Sequence, residues 1–260
     1  PSLTFPNHYS IITGMYPAHH GLVGNSYYDR ERKDMYKMSI QKAVRDGERY
    51  SGIPLWVLAE KNNLVSASFF WVGSEAPIAK TLPTYYFNYN EAFDFDRRLR
   101  ILKEWLQLPE EKRPHFISFY FPEVDHAEHR YGVNSKQTEE AVHFVDASVG
   151  KMDSMCRTLN LPINFVFLSD HGMANTDTAN TISIPKAIDR EKFIIPGGDA
   201  VVMLYAKNKD DIKPTYKALK KEAAGNYKVY TRKNVPKRFH FNLKNDTNNR
   251  IGDIILLAAP

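Results

Sequence analysis

The 260-residue sequence has a single cysteine, Cys156. One thiol can form neither an internal disulfide nor a cysteine cage for zinc. Cys156 stands in a helical pattern beside Met152 and Met155, where a thiol packs as a small hydrophobe. There is no apolar run of the ~18 residues that a membrane-crossing helix needs. The first residues lack the charged, apolar and small-residue segments of a secretory leader. They open inside a motif, so any targeting segment is expected upstream. Internal repeats and low-complexity linkers are also lacking. So is an acidic excess: 35 Lys and Arg against 30 Asp and Glu leave a net charge of +5, which mildly favours anionic small molecules. The lysines between Lys213 and Lys221 read as the solvated face of a helix, and no stable nucleic-acid complex is expected.

What the chain does have is length and apolar content enough for a real core, with 43% hydrophobic and 25% charged residues. A helix is expected to open at Thr4. Thr can act as a cap, Pro6 falls in the first turn, and Gly14 can close the helix in the left-handed region. Residues 15–52 read as loop. Helices are expected at Pro54–Asn62, Phe93–Leu106, Gln137–Leu159 and 213–224. Strands are expected at Leu64–Val72, Pro114–Phe121, Ile163–Leu168, Ala200–Tyr205 and Ile254–Ala258, with 73–90 as loop. Apolar strands alternating with helices imply an α/β fold with a mostly parallel central sheet and helices on both faces.

In such sheets ligands bind beyond the carboxyl ends of the strands. Asp125 and His129 follow the run ending at Phe121. Asp170 and His171 follow the run ending at Leu168. Both pairs are therefore expected on one rim. Residues four apart share a helix face, so Asp125 and His129 can grip one ion, and mixed nitrogen and oxygen donors suit zinc. The spacing alone leaves His126 and Glu128 open as ligands too. The start of the Thr4 helix presents backbone N–H groups and the positive end of the helix dipole, which suits a phosphate.

The run Thr4-Phe5-Pro6-Asn7-His8-Tyr9, then Thr13-Gly14-Met15-Tyr16-Pro17, His20-Gly21 and Asn25, resembles the nucleophile segment of the nucleotide pyrophosphatase/phosphodiesterase family of the alkaline phosphatase superfamily. The resemblance continues through Pro54-Leu55-Trp56-Val57, Phe69-Phe70-Trp71, Asp125 with His129, Asp170-His171-Gly172-Met173 and Arg250-Ile251-Gly252-Asp253. It implies an alkaline-phosphatase-like fold, with residues 1–260 forming part of one phosphodiesterase catalytic domain. Thr4 is implied as the nucleophile. Asn25, 21 residues later, is implied to hold a phosphoryl oxygen together with a backbone N–H near Thr4. The resemblance assigns Asp170 and His171 to one zinc, which Thr4 also coordinates, and Asp125 and His129 to a second. Phe5 and Tyr89 are placed on the two faces of a nucleobase, with Trp71 and Glu75 along the same pocket. His8 and His20 match positions taken as structural, and His19, His115, His143 and His240 read as surface or packing residues.

The family pattern includes one more Asp before the nucleophile and one more His after the Arg-Ile-Gly-Asp segment. Neither lies between Pro1 and Pro260, so the sequence is expected to be an internal piece of a longer enzyme, lacking the first strand of the sheet. The implied function is metal-dependent hydrolysis of nucleotide phosphodiester or pyrophosphate bonds through a phosphothreonine. The alternatives are a related enzyme acting on a non-nucleotide phosphoester and a binding-only piece without turnover. The family implies a periplasmic, cell-surface or secreted location.

Overall fold

The computed structural model describes residues 3–198 and 200–259. Besides short 3-10 turns, the described residues form α-helices and strands in the order α1 (Thr4–Thr13), α2 (Pro17–His20), β1 (Ser26–Asp29), β2 (Asp34–Lys37), α3 (Gln41–Val44), α4 (Leu55–Lys61), β3 (Ser66–Phe69), β4 (Tyr85–Phe87) and α5 (Phe95–Leu106), and then β5 (Phe116–Phe119), α6 (Glu123–Tyr131), α7 (Lys136–Arg157), β6 (Phe193–Ile194), β7 (Val201–Ala206), α8 (Ile212–Glu222), β8 (Tyr227–Thr231) and β9 (Ile254–Ala258). They belong to two compact units. One is residues 53–176, and the other is residues 1–52 together with 177–260.

In the 53–176 unit, β3 is the middle strand of a parallel sheet ordered β4-β3-β5. All four of its residues are buried, so both faces are covered, as a parallel strand requires. The two faces differ in chemistry. Ala67, Phe69, Ile117 and Phe119 pack against Phe95, Leu102, Trp105 and Leu106 of α5 and Met152 and Cys156 of α7. On the other face Ser66, Ser68 and Ser118 stand beside Tyr86 and Phe116. Ser118 Oγ donates to Ser68 Oγ at 2.9 Å, and Ser66 Oγ donates to Glu60 Oε1 of α4 at 2.7 Å. Small residues let α4 lie close on β3 and β5. Helices α5 and α7 start where side chains cap them: Asp94 accepts from the Arg97 N–H at 2.7 Å and Ser135 from the Thr138 N–H at 3.1 Å.

Three expectations need correction. Residues 163–168 form no strand. Ile163 and Phe165 rest on the α5/α7 core, while Val166 is 82% exposed and Phe167 and Leu168 are exposed as well. An apolar run becomes a strand only when a neighbour takes its backbone hydrogen bonds, and among the described residues no strand pairs with this one. Residues 73–90 are not all loop, because Tyr85–Phe87 pairs with β3. Residues 15–52 hold two one-turn α-helices, a 3-10 turn at Gly47–Arg49 and the antiparallel hairpin β1-β2.

That hairpin belongs to the other unit, and tyrosines make it a core element. Tyr27 and Tyr36 stack at 4.8 Å, and the Tyr36 and Tyr50 hydroxyls meet at 3.3 Å. Farther along, β6-β7-β9-β8 form an antiparallel sheet. Leu219 of α8 and Ala223 just after it cover it through Leu204, Val229, Ile254 and Leu256, and the α8 lysines face solvent as expected. Before β9 the chain is pinned by charge. The buried Arg250 donates from Nε to Asp29 at 2.9 Å and from an Nη to the Gly21 and Arg49 carbonyls at 3.2 and 2.6 Å. Gly252 fits beside β7 only without a side chain, since a Cβ would stand 2.9 Å from Met203 Cβ.

Arg250→Met should strand the buried Asp29 carboxylate. Loss of one partner from a buried pair costs roughly 3–5 kcal/mol. Urea unfolding should show a drop of that size, and a change under about 1 kcal/mol would mean that the pair is dispensable.

Candidate active site

Helix α1 carries the first group of candidates. Thr4 is its first helical residue and not its cap. Leu3 occupies the cap with extended backbone and offers no side-chain bond, so the N–H groups of the first turn look elsewhere. The Phe5 N–H finds Asn25 Oδ1 at 3.0 Å. Because that oxygen accepts, the Asn25 NH2 group is left as a donor at the same helix end. Phe5 is half-buried, edge-on to Tyr36 at 6.3 Å. At the other end Gly14 (φ 68°) returns its N–H to Ser10 O, as expected.

Two histidines hold this helix, in the structural role read from the sequence. His8 Nδ1 lies 2.9 Å from Thr4 O and donates to it. His20 is fully buried. Its Nδ1 accepts the Leu22 N–H at 3.2 Å, and its Nε2 donates to Ser10 Oγ at 3.0 Å while Ser10 donates onward to Pro6 O at 2.9 Å. The ring is therefore neutral, and burial pushes its pKa down to about 3.

The 53–176 unit holds the second group. Asp125 and His129 share one face of α6, with Asp125 Oδ1 3.7 Å from His129 Nε2. Asp125 Oδ1 also lies 4.0 Å from His171 Nε2, which in turn is 3.1 Å from Asp170 Oδ2. So the structure brings Asp125, His129, Asp170 and His171 together, although the run before Asp170 is not a strand. His126 points elsewhere, 3.7 Å from Glu91.

The donor chemistry can be tested against a metal. His171 Nδ1 stands 3.1 Å from the Gly172 carbonyl. A carbonyl only accepts, so Nδ1 carries the proton and the Nε2 lone pair faces two carboxylate oxygens. That arrangement is repulsive unless a cation, a proton or a metal, lies among them. Asp125 Oδ1 is shut off from water and accepts no hydrogen bond among the described residues. Two ligands about 2.0–2.2 Å from a tetrahedral zinc are about 3.3–3.6 Å apart, and the 3.1 and 3.7 Å separations bracket that range. The pairs suit a divalent ion. Among the described residues no three such donors converge into a cage.

A third group lines the end of the parallel sheet. Glu75 Oε1 accepts the Tyr89 N–H at 2.7 Å, and the Tyr89 hydroxyl donates to Glu91 at 3.3 Å. The Tyr89 ring is 40% exposed and lies edge-on to Phe70 at 5.5 Å. Trp71 begins the turn after β3, its carbonyl accepting from the Ser74 N–H and hydroxyl at 3.0 and 2.8 Å. Sequence reasoning missed Tyr120, whose phenol is pushed up by burial and by the charges of Asp125 and Asp170. Its place just beyond a parallel strand was the available signal.

The model of the type I phosphodiesterase/nucleotide pyrophosphatase family matches residues 1–260. The chain belongs to this family. Relatives include human ectonucleotide pyrophosphatase/phosphodiesterase family member 1, 34% identical over 93% of this chain and 27% of that protein. Venom phosphodiesterase 2 of Crotalus adamanteus is 33% identical over 93% of this chain and 31% of its own length. The chain thus spans about a third or less of these two curated relatives. Murine ectonucleotide pyrophosphatase/phosphodiesterase 5 superposes with a TM-score of 0.87 at 25% identity, covering 99% of this chain and 68% of that one. An inactive variant of the same murine protein has been solved in complex with AMP. The phosphodiesterase likeness extends to the fold, an α/β chain with helices on both faces of a parallel sheet.

The neutral His20 has a consequence for stability. Unfolding frees its ring to titrate near 6.5, so between pH 6.5 and about 3 the unfolded chain binds the extra proton. The His20 contribution is complete above pH 6.5 and is lost as pH falls through that window. Urea unfolding of His20→Gln should show a shallower acid-side decline than the parent, and parallel pH profiles would mean that His20 is not buried neutral.

Proposed function

We propose that the chain is the catalytic part of a metal-dependent hydrolase of nucleotide phosphodiester or pyrophosphate bonds, with Thr4 as nucleophile. The observation that carries this reading is the end of α1, where Thr4 opens the helix and Asn25 holds the next N–H. Thr4 Oγ attacks phosphorus, and the bond to the leaving oxygen breaks in line. The nucleoside phosphoryl group rests on Thr4 until water attacks it and the threonine oxygen recovers a proton. Asn25 donates its NH2 to a non-bridging oxygen as charge develops there, the work of an oxyanion hole. Two zinc ions, held by Asp170 with His171 and by Asp125 with His129, would supply the Lewis acidity that lowers the pKa of the threonine hydroxyl and offsets phosphoryl charge.

The substrate side is proposed as a nucleotide, with Phe5 and Tyr89 on the base and Trp71 and Glu75 beside it. The AMP complex of a structural neighbour supports that choice, and stacking on aromatics is worth about 1–3 kcal/mol per base. Relatives named as ectoenzymes and venom enzymes support a cell-surface, periplasmic or secreted setting, and no described helix is long and apolar enough to cross a membrane. A binding-only role is the second reading, favoured by the lack of three converging donors among the described residues.

Hydrolysis of a nitrophenyl nucleotide, compared with phosphate release from a simple monoester, separates these readings. The nucleotide diester should be the better substrate. Thr4→Ala should cut turnover by more than about a hundredfold while metal content stays the same. Activity above that level would remove Thr4 from the role. His129→Ala should release about one metal equivalent and His126→Ala none. The opposite result would reassign the ligand.

A further inference from the structure

Arg98, on α5, is 2% exposed, and no role for it follows from the proposed reaction. Its guanidinium reaches past the core to the segment that leads into α6. One Nη donates to the Tyr120 carbonyl at 3.0 Å and the other to Glu123 Oε1 at 2.6 Å. The Phe119 and Phe121 rings lie 5.3 and 5.4 Å away, and the Phe70 ring 5.7 Å away. The two anchors straddle Phe121 and Pro122. Glu123 is the first residue of α6, and the cap residue Pro122 gives that helix no side-chain bond. The start of α6 is therefore held from α5 and not by a local cap. Asp125 follows within the same turn, and His129 one turn later.

The energetics argue that this contact fixes geometry more than it adds stability. A buried ion pair barely repays its desolvation unless every polar atom is met. Here Arg98 Nε and Glu123 Oε2 are buried without a hydrogen-bond partner among the described residues. Arg98 also touches the second wall of the candidate site. Phe70, beneath its guanidinium, has a left-handed φ of 66°, costly for an aromatic residue. Phe70 is also the residue that packs on Tyr89 and precedes Trp71.

The geometry points to Arg98 as a positioning residue, which through Tyr120 O and Glu123 sets the orientation of α6 and so of the Asp125–His129 metal pair. The inference rests on the proposed role of that pair as metal ligands. Its forked donor is essential, since a lysine ammonium cannot span both anchors in one plane. Outer partners of metal ligands typically change affinity or activity by about 10–100-fold when altered.

The test uses the full-length protein and its Arg98→Lys and Glu123→Gln variants, with zinc affinity measured by chelator competition. The visible spectrum of bound cobalt(II) reports coordination geometry, and kcat and KM are measured with a nitrophenyl nucleotide. Each variant should bind zinc about 10–100-fold more weakly. The cobalt spectrum should change, and kcat should fall while KM stays within about twofold. A lower unfolding midpoint with unchanged affinity and spectrum would make Arg98 merely structural and overturn the inference. Should Arg98→Lys fail to fold, Glu123→Gln decides the matter alone, because its side chain keeps its shape and is partly exposed. Failure of the parent protein to bind zinc or cobalt would instead overturn the metal reading itself.

Discussion

A guanidinium taken out of water must be met by carboxylate or carbonyl oxygen, and in each unit one arginine imposes that demand on a segment that carries candidate site residues. Arg250 gathers Asp29 and the Gly21 and Arg49 carbonyls, which bracket the stretch containing Asn25. Arg98 gathers Tyr120 and Glu123, which lead into the helix of Asp125 and His129. Neither arginine is expected to touch substrate. Both restrict where the candidate site residues can stand, because a buried donor with fixed fork geometry tolerates few positions of its acceptors.

The same logic explains why α1 can begin without a cap. Its second residue is served by Asn25, and its body is tied down by His8 and His20. The helix start is thereby organised from outside the helix. That leaves a hydroxyl, a carboxamide donor and the positive end of a dipole at one place, the combination that a phosphoryl group needs. In the other unit the His171 tautomer does comparable work, because the Gly172 carbonyl accepts from the Nδ1 N–H and the Nε2 lone pair then faces Asp170 and Asp125.

How much of this was legible in the sequence depended on whether the signal was local. The α1 boundaries, the Gly14 close and the long helix from near residue 136 follow from caps and periodicity, and they are found within two residues or so. The β1-β2 hairpin was missed because its packing rests on tyrosines, which read as loop residues until Tyr27 and Tyr36 are seen stacked. The run at 163–168 has strand composition, yet pairing is a property of a neighbour and not of the run. Asp125, His129, Asp170 and His171 were singled out by their place after apolar runs and by the family resemblance, and the structure sets them near one another although the run before Asp170 forms no strand. Arg98 and Tyr120 were not found: one of three arginines in an amphipathic helix looks like surface, and only the fold shows it 2% exposed.

The proposed reaction has two displacements at phosphorus, first by Thr4 and then by water. Each in-line displacement inverts the configuration. The most direct test is therefore the stereochemical course, followed with a nucleotide phosphorothioate of known chirality hydrolysed in isotopically labelled water. The account predicts net retention. Net inversion would mean that water attacks the substrate directly, and would contradict a covalent intermediate on Thr4.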